Sequence, residues 1–260
     1  MSKTLTVILT HQPEACVAAM CRWWTVTGGA GDILVAYGGK QSAFDALSWQ
    51  PRVFVGDPRL RTRDHQRERQ SFSGVFASVS VWLEAHADYS HVLFTEFDCV
   101  PLVTDVNTRL LQRMEAEQAD VLACRLGRVD GTNHPHLLSH RWSPAFTDWL
   151  SSFSVRKEKA VVLTMLGSFS FWNIAAFHAV ASKPEPEPFY LELVIPTVAH
   201  HCGYRVRNLA DQSPFVLPVG DWKGRTEAVR QQGGWMVHPV KGIWEAVANG
   251  EPISTFIKTG

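Results

Sequence analysis

The segment His91-Val92-Leu93-Phe94-Thr95-Glu96-Phe97-Asp98-Cys99-Val100-Pro101-Leu102 constrains the fold more than any other part of the chain. Its uncharged run of Val, Leu, Phe and Thr suits a strand covered on both faces, the situation of strands in a parallel sheet flanked by helices. Two carboxylates one residue apart end that run. Ligands of open α/β sheets bind beyond the carboxyl ends of the strands, so the acids stand where a ligand would arrive. In extended backbone, residues i and i+2 share a face. Glu96 and Asp98 are therefore expected to approach one hard cation, in a geometry suited to a metal that holds a diphosphate. The competing account is a strand that stops and lets its acids reach water, and the segment by itself leaves the two evenly matched.

The rest of the first half alternates strand and helix signals, which predicts βα units on a mostly parallel sheet. Leu5 to Leu9 reads as a strand and Pro13 to Trp24 as a helix with proline at its first turn. Gly28-Gly29-Ala30-Gly31 then leads into a strand over Asp32 to Tyr37. Ser42 to Leu47 reads as a short helix, and Arg52 to Val55 as a third strand ended by Gly56-Asp57-Pro58. Phe72 to Ala87 carries Val75, Phe76, Val79, Trp82 and Leu83 along one helical stripe. After the acid-bearing strand, Val103 to Gln118 is helical and Asp120 to Cys124 is a fifth strand. From Gly127 to Trp149 the chain is rich in His, Pro, Asn and Ser, which predicts an irregular insertion over an active face. Val161 to Leu166 reads as a strand, Ile174 to Ser182 as a helix and Lys183 to Pro188 as a linker. A helix runs from about Phe189 and ends at Gly203, with Pro196 as a kink inside it. The expectation is one domain over 1–260.

Composition narrows the function classes. Lys+Arg 25 against Asp+Glu 25 gives no net field to attract nucleic acid. Cys16, Cys21, Cys99, Cys124 and Cys202 are odd in number and form no C-x-x-C pair, so they read as small buried thiols in a reducing compartment. Met1 to Lys3 leads almost directly into the first apolar run, too short for a signal segment, and a cytoplasmic location is expected. Ala160 to Ala181 contains no Asp, Glu, Lys or Arg and has spanning length. Gly167, Ser168, Ser170, Asn173 and His178 break it into strand, turn and helix, so no membrane span is expected.

The strand-rich N-terminal half, the acid-x-acid at the end of its fourth strand and a late His238-Pro239-Val240-Lys241 together resemble the GT-A fold of nucleotide-sugar glycosyltransferases. Glu96-Phe97-Asp98 looks like a variant of that family's D-x-D motif, with Glu in place of the first Asp. The resemblance implies a GT-A-like, Rossmann-type α/β fold whose mostly parallel sheet is flanked by helices, with 1–125 a nucleotide-binding half, 126–260 an acceptor-side half and the irregular insertion on the acceptor side. It implies a nucleoside-diphosphate sugar as donor, an unidentified hydroxyl as acceptor and Mn²⁺ or Mg²⁺ as cofactor. Asp98 would then be a direct metal ligand, counted with the catalytic residues. Glu96 would reach the metal or the donor ribose, directly or through water, and His238 would complete the metal site. A histidine nitrogen favours Mn²⁺ over Mg²⁺. In this family the nucleotide sits over the first strand ends, which implies contacts from Thr10, His11, Tyr37, Gly38 and Asp57, with Tyr37 stacking on the base. An acid following a later strand can accept the acceptor's proton in inverting enzymes, and Glu192 is the choice here, with Asp130 and Asp211 as rivals.

Each of these has a plainer account: turn chemistry for the strand-end residues, a backbone-bonded histidine for His238, and a favourable dipole contact for Glu192 near a helix start. Arg59, Arg61, Arg63, Arg67 and Arg69 could offer guanidinium forks to phosphates, or could pair with Asp64 and Glu68 on a solvated surface. His134-Pro135-His136 and His200-His201 lack companions at zinc spacing. Gly167-Ser168-Phe169-Ser170-Phe171 departs from the G-x-S-x-G elbow at its fifth residue. Trp142, Trp149, Trp172, Trp222 and Trp235 suit either a core or an acceptor cleft. Two rival functions remain. A nucleotidyltransferase would want a Gly-rich phosphate loop where Thr10-His11-Gln12-Pro13 stands, whereas a non-catalytic nucleotide-sugar-binding protein of the same fold would show no donor hydrolysis.

Overall fold

In a computed structural model, residues 3–27, 29, 31–68, 70–129, 143–156, 161–183 and 189–256 are described. In chain order the strands are β1 (Thr4–Thr10), β2 (Asp32–Tyr37), β3 (Arg52–Phe54), β4 (His91–Glu96), β5 (Val100–Pro101), β6 (Val121–Ala123), β7 (Gly127–Arg128), β8 (Leu163–Thr164), β9 (Phe169–Asn173), β10 (Val206–Asn208) and β11 (Met236–Val237). Seven of them form the central sheet in the order β10-β6-β9-β4-β1-β2-β3. All its pairings are parallel except those of β9, which runs antiparallel between β4 and β6.

Alternating side chains bury the central strands on both faces. Leu5, Val7 and Leu9 of β1 and Val92 and Phe94 of β4 face one layer, with the helices Phe72–Glu84, Ile174–Ala181 and Leu191–His201. Ile8 and Leu93 face the other, with the helices Glu14–Thr27, Val106–Ala116 and Ile243–Ala248. A sheet sandwiched in this way removes large apolar area from water on both faces. β9 contributes to both layers, Phe171 to one and Trp172 to the other. The sheet therefore draws on both halves of the chain and does not break near residue 125.

Several sequence expectations shift. The strand expected over Val161 to Leu166 is confined to β8, which pairs with β7 outside the main sheet. The sheet strand of that region is β9, which the sequence reading missed. The stretch expected to be irregular from Gly127 to Trp149 includes β7 and the start of a helix, Pro144–Phe153, with Ser143 Oγ accepting the Phe146 N–H at 3.4 Å. Its remainder, with Asp130, His134, His136 and Trp142, lies outside the described residues, as do Arg69 and 184–188 of the expected linker. The helix Leu191–His201 keeps Pro196 inside it and is followed by Gly203 at φ +98°. Among the described residues no helix is long and apolar enough to cross a membrane. All five cysteines are free thiols, and all but Cys202 are buried.

Candidate metal and nucleotide site

The strand order reverses at β1. β2 and β3 lie on one side of it and β4 on the other, so the carboxyl ends of β1 and β4 flank a topological switch point, where open α/β sheets bind ligands. The parallel register sets Thr10 level with Tyr37 and Leu9 level with Glu96. A cleft opens there, lined by Thr10, His11, Gly38, Leu60, Glu96 and Phe97 among others. His11 is exposed and meets the Phe97 ring edge-on, with centroids 4.9 Å apart.

β4 ends at Glu96, and its backbone then turns. The Cys99 N–H donates to the Glu96 carbonyl at 3.0 Å, while the Phe97 N–H donates to Leu9 and the Glu96 N–H to Ser168. Glu96 and Asp98 thus share a site because the chain turns, and not because an extended strand continues through them as the sequence suggested. Beneath the turn lie buried Cys99, Val100, Val237 and Trp244, and the Trp244 indole N–H donates to the Phe97 carbonyl.

His238 arrives from the other end of the chain. β5 follows the acid turn and pairs antiparallel with β11, Val100 opposite Val237 and Pro101 opposite Met236. The ladder continues as a contact from the Val240 N–H to the Asp98 carbonyl at 3.0 Å. His238 is thereby fixed beside the acids, and ligand atoms of Glu96, Asp98 and His238 lie within 4.8 Å of one another. Nδ1 of His238 is 3.0 Å from the Leu217 carbonyl, which can only accept, so that nitrogen carries the proton. Nε2 faces Asp98 Oδ1 at 3.4 Å and Glu96 Oε2 at 3.9 Å. A backbone carbonyl that fixes the outer nitrogen while the inner one faces carboxylates is the arrangement expected of a metal-ligating histidine.

The charges of this cluster are strained against one another. Loss of water around the carboxyl, and then the Asp98 charge, push Glu96 up to about 7, although 30% of its side chain remains accessible. Burial would raise Asp98 too, but His238 and Lys241 beside it outweigh that and hold it below the usual carboxylate range. Burial likewise opposes the charge of His238, and the two acids overcome it to raise the imidazole. Asp98 Oδ1 is buried without a hydrogen-bond partner. Two carboxylates and an imidazole nitrogen fit an oxygen-preferring divalent ion that tolerates nitrogen, such as Mn²⁺. A dication would also remove the repulsion that raises Glu96.

Glu192 reaches the segment beside the acid turn: it bonds Gly167, whose neighbour Ser168 accepts the Glu96 N–H. Its Oε1 accepts the Gly167 N–H at 3.2 Å and its Oε2 the Tyr190 hydroxyl at 2.8 Å, so the carboxylate is held at both oxygens. Thr10, His11, Gly38 and Glu96 line one cleft. Tyr37 does not join them. It is 1% exposed, its hydroxyl donates to the His11 carbonyl at 3.1 Å and its ring lies under Gly39, so stacking on a base is ruled out and its role is to support the β1–β2 loops. Asp57 caps the 3₁₀ turn Pro58–Arg61 and pairs with Arg59 at 2.7 Å, so its carboxylate is engaged in the loop itself. Arg61 donates to Val55 and Gly56 carbonyls at 3.0 and 2.9 Å, which makes it a loop clamp. Arg67 is exposed near Asp64. Asp211 is paired with Arg113 at 2.9 Å, and His201 is held by Ser154 and the Val161 carbonyl.

The sequence reading missed Lys241 as a site residue. Its ammonium pairs directly with Asp98 Oδ2. Its place three residues after His238 was visible, but a spacing of three has no fixed meaning outside a helix.

No family model and no curated protein matches the chain. Solved structures do match it in fold. Core-mannan synthase A (CmsA/Ktr4) from Aspergillus fumigatus, in its Mn/GDP form, aligns over 80% of this chain and 73% of its own at 9% identity and TM-score 0.44. An active-site mutant of LgtC aligns over 90% and 86% at 10% identity and TM-score 0.45. The mannosyltransferase PcManGT from Pyrobaculum calidifontis, in complex with GDP-Man and Mn²⁺, aligns over 80% and 55% at 10% identity and TM-score 0.43. Each of these likenesses is one of chain path alone.

Proposed function

We propose that this protein is a metal-dependent glycosyltransferase that moves a sugar from a nucleoside-diphosphate sugar to a hydroxyl acceptor. Glu96, Asp98 and His238 hold the divalent cation, Mn²⁺ or Mg²⁺. The observation that carries the reading is the convergence of these three side chains, from two distant parts of the chain, on the switch-point edge of the sheet, with Asp98 Oδ1 buried and faced by His238 Nε2 at 3.4 Å.

When bound, such a cation stabilises the negative charge that develops on a leaving diphosphate. The protein's own groups supply the rest. His238 offers Nε2 because Leu217 fixes its other nitrogen. Thr10, His11, Gly38 and Phe97 form the walls against which the nucleotide rests. Glu192, gripped by Gly167 and Tyr190, is the group proposed to receive the acceptor's proton.

A thermal-shift panel of UDP, GDP, CDP and dTDP sugars, with and without Mn²⁺, tests the reading, because a ligand that binds only the folded state raises its stability. One sugar nucleotide should stabilise the wild type only when Mn²⁺ is present and should leave Asp98→Asn unmoved. Equal stabilisation of both proteins would refute the assignment. Slow Mn²⁺-dependent hydrolysis of that donor would separate a transferase from a pure binding protein.

A further inference from the structure

Lys241 occupies an unusual position for a surface residue. Its side chain is 61% exposed, yet its ammonium lies on Oδ2 of an Asp98 side chain that is 2% exposed. The Lys241 backbone is fixed by its neighbours: the Val240 N–H donates to the Asp98 carbonyl at 3.0 Å and the Lys241 N–H to Asp221 Oδ1 at 3.3 Å. Only the flexible stem has to move for the ammonium to leave the acid. With Lys241 on one oxygen and His238 facing the other, positive or donor groups already surround the carboxylate proposed to bind the cation.

Resting on the metal site proposed above, we infer that Lys241 is a competing cation that makes metal binding conditional on the nucleotide. Without a diphosphate, a divalent ion has to displace the ammonium from Asp98 and then tolerate it nearby as a like charge. The fraction of molecules with Asp98 free is small, and apparent affinity falls by that fraction. A bound diphosphate supplies anionic oxygens to which the displaced ammonium can turn. The competition is then relieved, and metal and nucleotide bind with positive coupling that is reciprocal by linkage. The stem suits such an exchange: four carbons, three rotatable donors and one mobile charge.

The experiment measures Mn²⁺ dissociation constants from the free-Mn²⁺ electron paramagnetic resonance signal. Wild type, Lys241→Met, Lys241→Arg and Asp98→Asn are each titrated with Mn²⁺ alone, and with Mn²⁺ in the presence of saturating UDP, GDP, CDP or dTDP. Wild type should bind Mn²⁺ weakly alone and about fivefold or more tighter with its preferred nucleotide, within the usual range of coupling between sites. Lys241→Met should bind Mn²⁺ alone about fivefold or more tighter than wild type and gain less from the nucleotide, while Lys241→Arg keeps the competing charge and stays close to wild type. If Lys241→Met and wild type bind Mn²⁺ alone equally, the competition does not exist, even though the metal site stands. If neither binds Mn²⁺ with or without any of the nucleotides, the metal site itself is wrong and the inference falls with it.

Discussion

Replacing Asp98 with Asn separates two jobs that a buried acid can do, holding a cation and holding the fold. Removing one partner of a buried ion pair costs about 3–5 kcal/mol when an uncompensated charge is left behind. That penalty does not apply here, because each partner has an outlet. Lys241 is already largely in water, His238 keeps its bond to the Leu217 carbonyl, and Glu96 loses the like charge that helps to raise it. The metal-free cost is therefore expected to be about 1 kcal/mol or less, the scale of an exposed pair. With Mn²⁺ at about one hundred times its dissociation constant, the wild type gains about 2.7 kcal/mol. An unfolding entropy of about 2.1 cal/mol/K per residue gives ~0.55 kcal/mol/K for 260 residues, so the Tm should rise by about 5 °C. Asp98→Asn should lose nearly all of that rise while its Tm in chelator stays close to wild type. Thermal unfolding followed by near-ultraviolet circular dichroism, in chelator and in Mn²⁺, reads both quantities. A full Mn²⁺ shift in the variant, or a metal-free loss of several kcal/mol, would show that Asp98 serves the fold and would end the metal assignment.

Tyr37→Phe removes one hydroxyl bond to the His11 carbonyl and should cost about 1 kcal/mol in urea unfolding while leaving nucleotide affinity in place. Gly39→Ala should cost about 1–3 kcal/mol, since its Cβ would stand 2.7 Å from the Tyr37 ring. Glu192→Gln should lower kcat by about 10²–10⁴-fold with Mn²⁺ and nucleotide binding retained; unchanged turnover would clear Glu192 of the proton transfer. Asp32, bonded to Lys3 and to the Tyr89 hydroxyl at 2.6 Å, is held below its ordinary value of 3.8, first by Lys3 and then by Tyr89. A lowered acid contributes stability above its ordinary range and loses it as pH falls through its folded value. The stability advantage of wild type over Asp32→Asn should therefore be constant near neutrality and shrink below about pH 4 in urea titrations; an advantage that grows on acidification would reverse the assignment.

The parts of this protein that were legible in its sequence are those with a local physical signature. β1, β2 and β4 are long and rich in apolar and β-branched residues, β2 lies between glycines and β4 ends in an acid, and the helix Phe72–Glu84 shows its stripe. Glu96 and Asp98 stand out because charge at the end of such a strand conflicts with the burial of everything before it. β9 was hidden for the opposite reason. Its Phe169-Ser170-Phe171-Trp172-Asn173 continues an uncharged run that is equally compatible with strand or helix, and only its antiparallel insertion between β4 and β6 decides the matter. Tyr37 was misread because a residue at a strand's carboxyl end can point into the cleft or under the loop that covers it, and Gly39, by leaving room for the ring, decides for the second. The contacts that complete the site are the least visible of all. β5 and β11 are two residues each, too short for any period to register, yet their pairing sets His238 and Lys241 against an acid turn about 140 residues earlier. A short ladder of this kind is stable only because both of its strands are already anchored to the core through Val100, Val237 and Trp244. The site's geometry is thus a consequence of the packing beneath it, and changes in those apolar residues should reach metal affinity before they reach the sheet.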